Sequence, residues 1–374
     1  MTRTLAFTAF SVALFSLTLH AQVPPHIETE LRKIGQVVDP GCTAKLYRPL
    51  MPMNDINSEV TPLYAGVNLD RDVSFGPHPK DRVDIYSADK GRASRPVLIF
   101  VPGGQGNKTE QQVREANAFY DNIGRWATRN GMVAVLMQRH PGDNWNDPAR
   151  DVSEMIQWVE ANIGKYKGNP ERMFIGAHSA GNGPLGTYLG RPELYGTFHG
   201  TTGAGVKGAI LMSGQFNIAP LAMPGGGGRG GAPGGPPAGS TCGIGGPGQT
   251  NGAVKGPSGV TPGPAVATQG NAGRAGGPPA PPDPATLAAR SSLEGFKKLN
   301  IPLMFVNAEL DPGITGAMSP FYQTLHDELC KAGPAHCPTM LLAKDESHMS
   351  EVFSFDTPDK TVTGPILDWM KKVK

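Results

Sequence analysis

The stretch Phe174-Ile175-Gly176-Ala177-His178-Ser179-Ala180-Gly181 decides how the rest of the chain is read. An apolar run stops at a serine set among small residues. Such a serine belongs where a strand turns sharply into a helix, held in a strained corner with its hydroxyl facing outward. Small neighbours are required because the turn presses backbone against backbone. Alanine at 177 replaces the first glycine of the usual G-x-S-x-G pattern and is the smallest side chain that could do so. Gly183, Pro184 and Gly186 lower the helix propensity of the following segment, although proline is tolerated in a first turn.

Outward from this corner, strand and helix alternate. Residues 97–101 are a continuous apolar run ending at Pro102-Gly103-Gly104, as expected of a strand buried on both faces. The helix after it places Val113, Ala116, Tyr120, Ile123 and Ala127 on one face and stops at Asn130-Gly131. Residues 132–137 form the next buried strand. Asp147-Pro148 reads as a cap and first turn, behind which Val152, Met155, Ile156, Val159 and Ile163 make an apolar stripe. Further strands are expected at 172–176, 206–213, 301–307 and 339–343. Helices are expected around Phe321, Leu325 and Leu329, and over 363–373 with Ile366, Leu367, Met370 and Val373 inward. This alternation predicts an α/β fold with a mostly parallel central sheet and helices on both faces. Residues 67–75 and 82–86 alternate in polarity and are expected as an antiparallel N-terminal hairpin at its edge.

A serine hydroxyl is nearly unreactive unless a base removes its proton during attack. The base is a histidine, held in one tautomer by a carboxylate. In a sheet of this class both follow the serine in chain order, on loops beyond later strands. Asp311 lies beyond strand 301–307 in Ala308-Glu309-Leu310-Asp311-Pro312, and His348 beyond strand 339–343 in Asp345-Glu346-Ser347-His348-Met349-Ser350. Taken singly each is bland: aspartate before proline is an ordinary turn residue, Glu309 could take its role, and a lone histidine usually has no function. Joint occurrence with the corner serine singles them out. His178 adjoins Ser179 but is expected to point away from it. Acyl transfer also needs donors aimed at the developing oxyanion. The amide of Ala180 is one, and the loop Pro102-Gly103-Gly104-Gln105-Gly106 is placed to supply another. A phosphate cradle would need a following G-K-[ST], which is missing.

On these residues the chain resembles the α/β-hydrolase superfamily, near the hormone-sensitive-lipase-like and feruloyl-esterase-like (BD-FAE-type) bacterial carboxylesterases. The resemblance covers residues 65–215 and 295–374. It includes Phe119-Tyr120-Asp121-Asn122-Ile123-Gly124, Trp158-Val159-Glu160-Ala161-Asn162-Ile163, the serine corner, Glu309-Leu310-Asp311-Pro312 and His348-Met349-Ser350-Glu351. It implies a Ser179–His348–Asp311 triad that hydrolyses a small-molecule ester through an acyl-enzyme, with no metal and no organic cofactor. The family's His-Gly-Gly-Gly loop is here Pro102-Gly103-Gly104-Gln105. Matched position by position, this implies oxyanion donors at Gly104 and Gln105 besides Ala180. A cap of ordered helix is usual in the family. Here residues 22–65, an N-terminal extension with Ile27, Leu31 and Ile34 on one helical face, are the candidate cover.

The chain has 374 residues, and 34 Lys and Arg against 32 Asp and Glu leave a net charge of +2. That excludes the basic surface of a general nucleic-acid binder and an acidic disordered tail. Glycine and proline concentrate at 224–284, with 21 Gly and 13 Pro. No apolar period survives there, so this reads as a flexible insertion within a hydrolase domain spanning 66–374. Residues 1–21, with Arg3, an apolar run from Leu5 to Leu19 and Leu19-His20-Ala21, resemble a cleavable secretory signal. The run is too short to span a membrane, so a secreted or periplasmic location without a membrane span is expected. Export permits disulfides. Cys330 and Cys337 flank a short turn-rich loop and are expected to pair. Cys42 and Cys242 could also pair, and no spacing suits zinc. The leading function is carboxylic-ester hydrolysis. The alternatives are amide or phenolic-ester hydrolysis on the same triad (arylformamidase-like or feruloyl-esterase-like), or a non-catalytic binding protein on a hydrolase scaffold.

Overall fold

Each central strand is apolar at nearly every position because both of its faces are covered. In the computed structural model, which describes residues 22–51, 64–88, 90–104, 119–139, 144–195, 205–221 and 282–373, eight strands form one sheet in the order β1-β2-β4-β3-β5-β6-β7-β8. They are β1 (Val67–Ser74), β2 (Arg82–Ala88), β3 (Arg95–Val101), β4 (Val133–Met137), β5 (Gly168–His178), β6 (Val206–Met212), β7 (Leu303–Ala308) and β8 (Thr339–Ala343). From β4 to β8 neighbours are parallel. β1 and β2 form the expected antiparallel hairpin, with β1 at the edge and β2 antiparallel to β4.

Side chains alternate between two cores. On β3, Val97, Ile99 and Val101 enter one and Leu98 and Phe100 the other. Burying one such side chain is worth about 1.5–3 kcal/mol. The first core is closed by helices Asp147–Asn162, Asn182–Gly190 and Pro320–Cys330. The second is closed by Pro25–Ile34, Pro40–Tyr47, Asp121–Arg129 and Thr363–Lys372.

Several boundaries differ from expectation for local reasons. β5 starts four residues before 172, because its half-exposed first part carries no apolar signal. Asp147 opens its helix rather than capping it: Asn146 is the cap, and the Asp147 carboxylate turns back to accept from the Asn144 amide at 2.9 Å. In the terminal helix Trp369 is buried and Leu367 only half-buried. The glycine-containing helix Asn182–Gly190 has a packing cause, since a Cβ on Gly186 would collide with the Phe216 ring.

Cys330 and Cys337 are disulfide-bonded, joining the end of one helix to the approach to β8. Asp283 accepts from Thr286 N at 3.0 Å and caps helix Pro284–Ala289, so the end of the expected insertion is helical. The signal-like residues 1–21, Cys242, and residues 224–281 lie outside the described residues. Among the described residues no helix is long and apolar enough to cross a membrane.

The N-terminal helices clasp two loops beyond the sheet. Arg32 pairs with Glu309 and Asp345, and Gln36 donates to the Ile314 carbonyl. The Tyr47 hydroxyl lies 2.9 Å from Asp359 and 3.1 Å from Glu346. These loops follow β7 and β8, and they carry Asp311 and His348.

Candidate active site

Ser179 begins immediately after the last residue of β5, with a backbone φ of +53°. A β-strand leading straight into helix leaves no room for a relaxed turn, so a non-glycine residue is driven into the left-handed region. Packing enforces the corner. A Cβ on Gly181 would collide with the Val101 carbonyl oxygen. Asn182, fully buried, donates its amide to the Ser179 carbonyl at 3.1 Å and to the Met212 carbonyl at 2.7 Å. The turn is thereby tied to the ends of β3 and β6.

The acid and the histidine arrive from the next two strand ends. Glu309 N bonds the Ala343 carbonyl and Leu310 N bonds the Glu346 carbonyl, so the two loops run side by side. His348 Nδ1 lies 2.8 Å from Asp311 Oδ1, and His348 Nε2 lies 2.9 Å from Ser179 Oγ. With the Nδ1 proton donated to the carboxylate, Nε2 is left to accept from the serine hydroxyl. Asp311 and His348 are buried while Ser179 is half-exposed, so the hydroxyl is open to an incoming molecule. Glu309, the rival acid, accepts from Asp345 N and pairs with Arg32 instead.

His178 does turn away from Ser179. Its Nε2 is 2.9 Å from the His348 carbonyl and 3.0 Å from Glu351 Oε1, and its ring is tilted against that of His348. Burial, and then proximity to His348, push the His178 imidazole well below its ordinary value. Burial, reinforced by the Asp311 charge, pushes Glu351 well up. Both groups are driven to their neutral forms, so the contact joins neutral partners rather than ions. The neutral imidazole bears its proton on Nε2 and holds the main chain of His348. Ring nitrogens of His178 and His348 and a Glu351 oxygen lie within 4.8 Å of one another. Both His348 nitrogens are already engaged and all three residues are buried, which suits a hydrogen-bond network better than a metal centre.

Helix Asp121–Arg129 braces the histidine loop further. Asn122 donates to the Val352 and Phe355 carbonyls at 2.7 and 3.2 Å, and Arg125 Nε lies 2.9 Å from Asp356. Ala180 is exposed beside the nucleophile, and Gly104 has a φ of +58°. Gln105 lies outside the described residues. Arg139, just beyond β4, donates from Nε to the Pro102 carbonyl and from Nη2 to the Gly104 carbonyl, each at 3.0 Å. Burial pushes its guanidinium below the ordinary arginine value.

Sequence reasoning passed over Arg139, Asn182 and the partnership of His178 with Glu351. Asn182 carried a signal, a polar amide in the first turn after a corner serine. Arg139 carried none, because only the fold shows that the end of β4 adjoins the loop after β3.

Solved structures that share this architecture include esterases. Esterase B from Lactobacillus rhamnosus matches with a TM-score of 0.52 at 13% identity, over 93% of this chain and 96% of that one. A bacterial heroin esterase matches with a TM-score of 0.52 at 14% identity, over 94% and 98%. The chain has the α/β-hydrolase fold. Within this hydrolase fold the BD-FAE family model matches residues 83–201, from β2 past the serine corner. In sequence the chain is similar to isoprenylcysteine alpha-carbonyl methylesterase ICME of Arabidopsis thaliana, at 28% identity over 156 residues, 40% of this chain and 35% of that protein. It is also similar to the probable carboxylic ester hydrolase LipM of Mycobacterium tuberculosis, at 29% identity over 147 residues, 38% of this chain and 31% of LipM. The chain thus spans about a third of the length of these curated relatives.

Proposed function

We propose that this hydrolase-fold protein is a serine carboxylic-ester hydrolase acting through an acyl-enzyme. The observation that carries the reading is the continuous hydrogen-bonded series from Ser179 Oγ through His348 to Asp311, at 2.9 and 2.8 Å. In the first half-reaction Ser179 Oγ bonds to the ester carbonyl carbon while its proton passes to His348 Nε2. The carbonyl oxygen becomes an oxyanion facing the amides of Ala180, Gly104 and Gln105. The tetrahedral centre then collapses, the ester C–O bond breaks, and the alcohol departs with the proton from His348. In the second half water takes the place of the serine hydroxyl, yielding a carboxylic acid and free enzyme. Asp311 stays a carboxylate and holds the imidazolium as it forms.

The relatives are named for ester hydrolysis, which favours ester over amide substrates, and the half-exposed serine favours catalysis over a mere scaffold. The test is turnover of a short-chain p-nitrophenyl ester together with labelling by a fluorophosphonate. Ser179→Ala is expected to lose the label and about 10⁴-fold or more of kcat; undiminished turnover in that variant overturns the reading.

The proposal extends to location. The signal-like residues 1–21 support export, with the mature chain starting at Gln22. Residues 22–51 then act as a brace for the loops bearing Asp311 and His348, which accounts for the Arg32 and Tyr47 contacts.

A further inference from the structure

Arg139 is a buried cation whose two described hydrogen bonds from the guanidinium both go to main-chain carbonyls. Those carbonyls, of Pro102 and Gly104, flank Gly103. The same three-residue loop lies against the nucleophile on its other side. A Cβ on Gly103 would sit 2.9 Å from the Ser179 Cβ and 2.9 Å from the His178 carbonyl oxygen, and one on Gly181 would sit 2.8 Å from the Pro102 oxygen. The loop is therefore held between the serine corner and a guanidinium. Pro102 has no N–H to contribute to its own anchoring, and Gly104, at φ +58°, has no side chain to anchor with.

We propose that Arg139 is a positioning residue for acyl transfer: its planar fork fixes the Pro102 and Gly104 carbonyls so that the Gly104 amide between them faces the oxyanion. This rests on the ester-hydrolase reading above. Peptide geometry supplies the link, because each peptide is one rigid plane, and a plane held at both ends has little freedom to turn. Gripping the Pro102 and Gly104 carbonyls holds the backbone on both sides of the Gly103–Gly104 peptide, and with it the Gly104 N–H. A guanidinium can grip two acceptors at a fixed spacing, whereas an ammonium is a single point charge on a flexible stem. Donors held in place before reaction stabilise the oxyanion without reorganising, so the effect belongs to the transition state rather than to substrate binding.

The experiment compares Arg139→Lys and Arg139→Met with wild type on a p-nitrophenyl ester, and measures the rate at which a fluorophosphonate modifies Ser179. Since loss of one oxyanion donor costs about 10²–10³ in kcat, loosening the loop is expected to cost about 10–100-fold, with KM changed less than about threefold. Phosphonylation should slow in parallel, because it develops charge on the same oxygen. The lysine variant, which keeps charge and bulk, should remain impaired. A folded Met variant with wild-type kcat overturns the proposal, as does a loss confined to KM. Should the Met variant fail to fold, Arg139→Lys decides alone: wild-type kcat there removes any need for the fork. The wild-type control separates the two ideas. An unmodified wild type that turns over no ester sinks the hydrolase reading, whereas an active wild type with unaffected variants sinks only the role of Arg139.

Discussion

Ser179, Asp311 and His348 each follow the end of a strand, β5, β7 and β8, and at this scale chemistry depends on which atom carries which proton. Asparagine at 311 would keep the shape but leave the His348 Nδ1 position free to take the wrong tautomer. Asp311→Asn is expected to lower kcat by about 10⁴-fold with folding intact, checked by ester turnover beside a thermal melt. Glu351 lends itself to a different measurement. Its carboxyl is held well above the ordinary 4.5, so between that value and its native one the folded chain retains a proton that the unfolded chain releases. Stability must therefore fall as pH rises through that window. Glu351→Gln builds in the neutral form, and its urea midpoint should decline less than wild type's as pH rises above the ordinary carboxyl value. An equal decline in both would assign the slope elsewhere. At this scale the corner at Ser179 was legible because a serine ringed by small residues at the end of an apolar run rarely occurs except at such a turn. Glu351 was not, since nothing in a sequence says that a carboxyl just beyond His348 will be wholly enclosed.

Strands and helices were read well where burial imposes a strong period and poorly where polar side chains close on local backbone. β3, β4 and β8 are apolar enough to be placed within a residue or two. The start of β5 and the cap at Asn146 depended on contacts with Arg95 and Asn144, which no periodicity reports. The clasp formed by the two N-terminal helices was legible only as an apolar face on Ile27 and Leu31; its polar grip on the loops after β7 and β8 was not. That grip can be tested through Tyr47, whose hydroxyl serves two buried carboxyl groups. Tyr47→Phe removes the donor and should cost about 1–3 kcal/mol by urea denaturation. At the serine corner, Gly181→Ala forces a Cβ against the Val101 carbonyl, a backbone atom that cannot step aside. A lowered melting temperature and loss of fluorophosphonate labelling are expected together.

For the molecule as a whole, the order of elements was readable from the alternation of strand and helix, but the sheet order was not. The crossing that sets β4 outside β3 depends on which helix packs on which face, and only the two completed cores reveal it. The Cys330–Cys337 bridge closes a loop with a separation of 7 residues, a constraint worth about 2–3 kcal/mol in the chain-entropy account. The double variant Cys330→Ser/Cys337→Ser should lose about that much, and reductant should lower wild type to the same level. The proposed export makes a further prediction: chain recovered from outside the cytoplasm should begin at Gln22 by N-terminal sequencing, and a chain retaining Met1 there would count against cleavage.

The series of strands carries a temporal consequence. Ser179 is 169 residues ahead of the imidazole it is hydrogen-bonded to, and that imidazole follows the last described strand, at the sheet's edge. A ribosome translating this message therefore displays the alcohol long before its base exists. Any polypeptide interrupted before β8 would carry the alcohol without the imidazole proposed to serve it.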